Sequence, residues 1–128
     1  MRVLVVDDSA TMRKMIKRVL GMCGLPLTAF HEAGNGQEAL DLLQVTTVDL
    51  MLVDVNMPVM DGLTLIERVR GDERYRGVDV LVVSSESSQA RIERFASLGA
   101  GYIHKPFTPE VFKAALKDYK ELQDADTH

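Results

Sequence analysis

The stretch of sequence that decides the fold is Leu50-Met51-Leu52-Val53-Asp54-Val55-Asn56-Met57-Pro58-Val59-Met60-Asp61-Gly62. It opens with an uninterrupted apolar run, which is typical of a strand buried on both faces in the middle of a parallel sheet. The run stops at the carboxylate of Asp54, and open α/β sheets place their ligand crevice at the carboxyl ends of the strands. A single acid at that place can be accidental, so the other segments of the chain must decide its meaning.

Two other apolar runs also end on polar side chains. Residues 3–6 lead into Asp7 and Asp8, and residues 80–83 lead into Ser84. Both runs lack the alternation of a half-exposed strand, so they are predicted to lie beside the first run inside the sheet. Right-handed crossovers place the carboxyl ends of parallel strands at one edge, where these polar groups are expected to meet.

Helical segments separate the strands and complete the predicted fold. A weaker strand is expected at 27–32 and a short one at 102–104, the latter followed by Lys105. Between the strands, apolar residues recur at helical spacing behind capping residues such as Ser9 and Thr108. Five strands alternating with five helices predict one α/β domain, with a parallel sheet covered on both faces.

Two basic regions are expected to be solvated. In the first helix Met12 and Met15 fall on the apolar face and are expected in the core, while Arg13 and its basic neighbours lie on the opposite face. Residues 70–76 are rich in Arg, Asp and Glu and are expected to form a polar loop. Neither region is therefore predicted to form a ligand site.

Length and composition restrict the classes of function. With 128 residues, a formal net charge of -4 and a pI near 5.3, the chain lacks the basic surface of a nucleic-acid-binding protein. Its one cysteine, Cys23, cannot form an internal disulfide, and no segment resembles a signal peptide or membrane span, so a cytoplasmic protein without a membrane partner is expected.

The last apolar stripe runs through Tyr119 to Leu122. Residues 1–122 are therefore predicted to form the domain and residues 123–128 a frayed tail.

The polar groups at the predicted sheet edge favour phosphoryl chemistry. Two carboxylates about 4 Å apart repel each other by about 4 kcal/mol at an effective dielectric constant near 20, so three of them require a cation. Oxygen ligands suit Mg²⁺ or Mn²⁺ better than Zn²⁺. Such an ion and Lys105 together cancel the charges of Asp7, Asp8 and Asp54. Asp54 can then act as a nucleophile toward a phosphoryl group, with the hydroxyl of Ser84 as a hydrogen-bond donor.

The order and spacing of these motifs resemble the receiver domain of the two-component response-regulator family. The matching pieces extend over almost the whole chain. The chain is most similar to the single-domain chemotaxis regulators of that family because of Thr11-Met12-Arg13, Asn56, Glu86, Tyr102 and the lack of an output domain. The pieces that carry the resemblance are Val5-Val6-Asp7-Asp8-Ser9, residues 52–62, Ser84 and Lys105-Pro106-Phe107.

The resemblance implies both a fold and a phosphorylation site. It implies a flavodoxin-like, doubly wound five-stranded sheet in the order 2-1-3-4-5. Asp54 would accept a phosphoryl group from a sensor histidine kinase. Asp8, Asp54 and the main-chain carbonyl of Asn56 would hold Mg²⁺, with Asp7 assisting through water. Such a protein is a signalling switch and not an enzyme, since it catalyses only its own phosphorylation and dephosphorylation.

The resemblance also implies a switch. The hydroxyl of Ser84 would move toward the phosphoryl group while the ring of Tyr102 turns inward. A downstream protein would bind the face formed by helix 4, strand 5 and helix 5. The Lys105-Pro106 peptide bond is expected to be cis, although sequence alone favours trans because cis is a few per cent of such bonds.

Some residues depart from the motor-binding relatives. Ser88 and Gln89 stand where those relatives carry two lysines, and His104 lies between Tyr102 and Lys105. Because of these departures, the downstream target, flagellar motor or other, stays open. Asn56 and Glu86 occupy positions that modulate the lifetime of the phosphoryl group in this family.

Three alternative interpretations compete with the phosphorylated switch. A phosphatase of the haloacid dehalogenase type needs a second acid two residues after its nucleophile, where this chain has Asn56, which cannot act as a general acid. Gly34-Asn35-Gly36-Gln37-Glu38-Ala39 fits a dinucleotide-binding fingerprint, but Glu32 would repel a pyrophosphate, and a helix cap with a flexible turn is the favoured interpretation. A receiver-like scaffold that binds partners without phosphorylation is the third, and the intact set of acids argues against it.

Overall fold

The computed structural model describes residues 1–85 and 88–126, together with the side chains of residues 1–85 and 88–117. Strands and helices alternate along the chain, with a short 3-10 turn after the third helix. In order, the elements are β1 (Arg2–Val6), α1 (Ala10–Met22), β2 (Ala29–Ala33), α2 (Gly36–Val45), β3 (Leu50–Val53), α3 (Gly62–Arg70), the 3-10 turn (Glu73–Tyr75), β4 (Asp79–Ser84), α4 (Gln89–Ser97), β5 (Gly101–His104) and α5 (Pro109–Asp126).

The five strands form one parallel sheet in the order β2-β1-β3-β4-β5. The register pairs Val6 with Val53 and Val53 with Val82, so the three central strands reach the same level at their carboxyl ends. This confirms the predicted flavodoxin-like, doubly wound α/β domain with strand order 2-1-3-4-5. Residues that follow the central strands therefore meet at one edge of the sheet.

The sheet is buried on both faces, as the uninterrupted apolar runs predict. On one face Leu4 and Met51 belong to a core cluster that includes residues of α2, α3 and α4. On the other face Val3 and Leu52 belong to a cluster that includes residues of α1 and α5. Burying one such side chain stabilises the fold by about 1.5–3 kcal/mol, so the strands that carry the sheet edge are well packed on both faces.

Several local details differ from the prediction. Met15 is 47% exposed, so the buried face of α1 is narrower than expected and consists of Ile16, Val19 and Leu20. Strand β2 begins at Ala29, two residues beyond the predicted start at 27. The 3-10 turn buries Tyr75 within a segment that was expected to be a solvated loop. In each case tertiary packing, which periodicity does not report, decides the outcome.

Two arginines that were expected to be solvated instead bind main-chain carbonyls. Arg70 donates from Nε to the carbonyl of Leu98 at 2.7 Å and from Nη1 to the carbonyl of Val78 at 2.8 Å. It thereby joins the end of α3 to the segments around α4 and β4. Arg13 donates from Nη1 to the carbonyl of Asp7 at 2.5 Å, which ties α1 to the end of β1.

Helix α5 extends to Asp126, into the residues that were predicted to form a tail, and the domain boundary at Leu122 stays a prediction. The expectations for Glu86 and for the side chains of Tyr119 and Leu122 lie outside the described residues. Within the part of the chain that the structure describes, no helix is both long enough and apolar enough to cross a membrane.

Candidate functional site

Three carboxylates meet at the carboxyl edge of the sheet. Asp7 and Asp8 follow β1 and Asp54 follows β3, and these two strands are hydrogen-bonded neighbours. One carboxylate oxygen from each of the three acids lies within 4.8 Å of the others. Asp7 is buried, Asp54 is half-buried and Asp8 is exposed, so the group opens from the sheet toward solvent. The structure thus brings together the three acids that the sequence placed at this edge.

Lys105 supplies positive charge to these acids from the end of the edge strand β5. It follows β5, and its Nζ lies 3.1 Å from Oδ2 of Asp7 and 3.6 Å from Oδ1 of Asp54. Its side chain is 18% exposed, so it is not an ordinary surface lysine. The Lys105-Pro106 bond is cis, as the resemblance implied.

The electrostatics of Asp54 reflect its partial burial. Loss of solvation raises the pKa of Asp54, while the ammonium of Lys105 opposes that rise and the charge of Asp7 adds to it. The amide of Val55 donates to Oδ1 of Asp54 at 2.9 Å, which favours the ionised form. One ammonium against three carboxylates leaves an excess of two negative charges, because three minus one is two. A hard divalent cation with oxygen ligands, such as Mg²⁺ or Mn²⁺, fits this donor set and this charge.

Ser84 and Tyr102 lie together on the neighbouring strands β4 and β5. Ser84 ends β4 and is fully buried. The hydroxyl of Tyr102 donates to the main-chain carbonyl of Ser84 at 3.3 Å, and the Tyr102 ring stacks on Phe95 with centroids 6.3 Å apart. The amide of Lys105 donates to the same Ser84 carbonyl at 2.8 Å. One carbonyl therefore joins the lysine of the site to the predicted switch tyrosine.

The loop between β3 and α3 depends on a glycine whose importance the sequence reasoning missed. A Cβ atom on Gly62 would lie 2.2 Å from the carbonyl oxygen of Asp54 and 2.9 Å from the Cα of Val55. The amide of Gly62 donates to the carbonyl of Val55 at 2.9 Å. Asp61 caps α3 by accepting from the amide of Thr64. The absence of a side chain on Gly62 therefore lets α3 approach the backbone of Asp54.

The same loop holds Asn56 and a strained residue. Asn56 is exposed two positions after Asp54, and the metal-binding role of its carbonyl stays a prediction. Val59 has a φ of 68°, in the left-handed region, and its side chain is 82% exposed. A β-branched residue is strained in that conformation, and no sequence pattern predicts it.

The glycine-rich stretch before α2 forms a helix cap. Asn35 accepts from the amide of Glu38 at 2.9 Å, and the Glu38 carboxylate in turn accepts from the amide of Gly34 at 3.3 Å. Gly36 faces Met60, whose Cγ would lie 2.8 Å from a Cβ at that position. These contacts confirm the helix cap that competed with the dinucleotide-binding fingerprint.

Comparisons with known proteins match the chain along almost its whole length. The sequence profile described as the response regulator receiver domain matches residues 3–117. The chemotaxis protein CheY of Pseudomonas aeruginosa is 41% identical over 118 residues, which cover 91% of this chain and 94% of that protein. The chemotaxis protein CheY1 of Helicobacter pylori is 38% identical over 119 residues, covering 91% and 94% respectively.

A solved structure agrees with these sequence matches. The chemotaxis protein CheY4 of Vibrio cholerae superposes with a TM-score of 0.79 at 34% identity, covering 91% of this chain and 96% of that one. The similarity thus includes every strand of the sheet and the edge that carries the acids.

Proposed function

The chain belongs to the response regulator receiver domain family, and from this premise we propose that it is a phosphorylation-controlled switch with Asp54 as the phosphoacceptor. Receiver domains are signalling switches and not metabolic enzymes. The observation that carries the proposal is the contact of Lys105 with Asp7 and Asp54, at 3.1 and 3.6 Å, inside a group of three converging carboxylates. Acids that only cap helices, or a lysine that is only exposed to solvent, would not explain why these charged groups converge.

The proposed reaction transfers a phosphoryl group from a histidine of a sensor kinase. A carboxylate oxygen of Asp54 attacks phosphorus, the P–N bond breaks with its electron pair going to the imidazole nitrogen, and an acyl phosphate forms. The ammonium of Lys105 offsets negative charge on the phosphoryl oxygens, and the hydroxyl of Ser84 donates to one of them. Water later attacks the acyl phosphate, which returns the carboxylate and releases inorganic phosphate.

The acids and the loop would hold the divalent cation. Asp8, Asp54 and the carbonyl of Asn56 are the proposed direct ligands of Mg²⁺ or Mn²⁺, with Asp7 acting through water. The ion supplies further neutralisation of the phosphoryl oxygens. The excess of negative charge around Lys105 supports this assignment.

The proposed output is a change in partner binding. Ser84 and Tyr102 would each have two arrangements, and the new phosphoryl oxygens would favour one of them. The shared Ser84 carbonyl supports coupling between the site and Tyr102. The downstream protein would bind the face of α4, β5 and α5. The similarity to chemotaxis proteins supports chemotaxis or motility as the setting.

Incubation with acetyl phosphate and Mg²⁺, followed by intact-mass measurement, tests the proposal. We expect one added phosphoryl group on the wild type and none on Asp54→Asn. An unmodified wild type, or equal modification of the variant, would contradict it.

A phosphatase assay on a generic phosphate monoester distinguishes the switch from the rival phosphatase, because sustained release of phosphate would favour the phosphatase. We expect none, since Asn56 provides no general acid.

A further inference from the structure

Arg13 is anchored at two points beside the acidic group. Its Nη1 donates to the main-chain carbonyl of Asp7 at 2.5 Å, and its Nε donates to Oε1 of Glu32 at 3.1 Å. The side chain is 19% exposed, although it was expected on a solvated face. Glu32 lies on β2, beside β1, so the guanidinium bridges the ends of two neighbouring strands. A planar guanidinium can hold two such acceptors in one fixed geometry, which an ammonium cannot do.

Every polar group of Asp7 has a partner. Its amide donates to the carbonyl of Ala33 at 3.0 Å, and its carbonyl accepts from Arg13. One carboxylate oxygen accepts from the amide of Ser9 at 2.9 Å and the other from Lys105 at 3.1 Å. These hydrogen bonds fix the backbone and side chain of Asp7, the residue that precedes Asp8.

Asp8 differs from its neighbour. It is exposed, and its carboxylate makes no hydrogen bond or ion pair with any other residue that the structure describes. The direction of this carboxylate therefore depends on the peptide between Asp7 and Asp8. The carbonyl of that peptide is the group that Arg13 binds.

We propose that Arg13 is a positioning residue for the divalent cation, acting on Asp8 through the Asp7–Asp8 peptide. This inference rests on the proposed function, which makes Asp8 a metal ligand. Groups that orient metal ligands typically change metal affinity by about 10- to 100-fold when removed. Because Arg13 acts through a backbone carbonyl, the lower end of that range is expected.

A purely electrostatic role would have the opposite sign. Arg13 carries a positive charge near a cation site, so its removal would leave Mg²⁺ binding unchanged or stronger if charge were its only effect. Positioning instead requires weaker binding after removal. The charge-conserving variant Arg13→Lys isolates the geometry, because it keeps the charge and loses the two-point anchor.

The test measures Mg²⁺ affinity by calorimetry for the wild type, Arg13→Ala, Arg13→Lys and Lys14→Ala. Lys14 is the matched control, since it is an exposed cation on the same helix. Both Arg13 variants should bind Mg²⁺ about tenfold more weakly, while Lys14→Ala should bind it as the wild type does or slightly more tightly. In phosphorylation by acetyl phosphate, the Arg13 variants should need more Mg²⁺ for half-maximal rate and reach the wild-type rate at saturation.

A double-mutant cycle identifies the route of action. In an Asp8→Ala background, Arg13→Lys should cause no further loss of Mg²⁺ affinity. The inference is overturned if Arg13→Lys binds Mg²⁺ as well as the wild type, or if it loses tenfold in both backgrounds. A wild type that neither binds Mg²⁺ nor accepts a phosphoryl group would remove the proposed function as well, so the two failures are distinguishable.

Discussion

Replacing Lys105 by glutamine removes the one ammonium that contacts the acids in the described part of the chain. In the structure this group lies 3.1 Å from Asp7 and 3.6 Å from Asp54. In the proposed reaction it also offsets the charge of the incoming phosphoryl group. We therefore expect Lys105→Gln to fold, to bind Mg²⁺ and to be phosphorylated slowly.

The expected magnitude follows from the distance and the local dielectric. Two unit charges 3.6 Å apart attract by about 4–5 kcal/mol at an effective dielectric constant near 20. Water that enters in place of the ammonium recovers part of this energy. Removal of one preorganised group that stabilises developing charge usually costs about 2.7–4 kcal/mol, so phosphorylation should slow by about 10²- to 10³-fold.

The assay is a time course of intact mass with acetyl phosphate at saturating Mg²⁺, with Lys105→Arg as the control that keeps the positive charge. Mg²⁺ affinity of Lys105→Gln should equal or exceed that of the wild type, because a competing cation is gone. A rate within threefold of the wild type at saturating Mg²⁺ would refute the role of Lys105 in charge neutralisation. Weaker Mg²⁺ binding would show that the lysine acts by holding the carboxylates in place.

Further predictions concern stability. Burial raises the pKa of Asp54 despite the opposing Lys105, so the folded state binds this proton more readily than the unfolded chain. The unfolding free energy of the wild type relative to Asp54→Asn should therefore rise as the pH falls from neutral through the folded-state pKa. A pH-independent difference in urea unfolding would contradict this. Gly62→Ala should destabilise by about 3 kcal/mol, because its Cβ meets backbone atoms. Gly21→Ala, with open space around it, should stabilise by up to about 1 kcal/mol. Equal urea midpoints for these two variants would contradict the close approach. Val59→Asn should raise the unfolding free energy by about 1 kcal/mol, because asparagine tolerates a φ of 68° better. A lower midpoint would show that Val59 is not strained.

Sequence reasoning predicted the sheet and most of the site because both depend on local patterns. Uninterrupted apolar runs such as residues 50–53 identify doubly buried strands, and the topology of parallel strands brings their polar successors to one edge. The convergence of Asp7, Asp54 and Lys105 follows from those two facts. The strand order and the cis bond came from the resemblance and are confirmed.

The missed features depend on contacts between distant segments. Helical periodicity predicts that Arg13 is solvated, and the charged neighbours of Arg70 predict the same for it. Both nevertheless bind carbonyls that other segments bring within reach. The tight approach of Gly62 to the backbone of Asp54 depends on how α3 packs. Met15 was placed in the core because α1 was assigned too wide an apolar face. Hydrophobic spacing reports which face is buried but not how far burial extends or which carbonyl a long side chain reaches.

The carbonyl of Ser84 gives the proposed switch a physical basis. It accepts from the amide of Lys105 at 2.8 Å and from the hydroxyl of Tyr102 at 3.3 Å. A displacement of the Ser84 backbone toward a phosphoryl group on Asp54 would therefore change both bonds. The longer bond, from a half-buried side chain on β5, is the weaker of the two and can break while the strand pairing remains. In the proposed switch, the two states would then differ in the position of Tyr102.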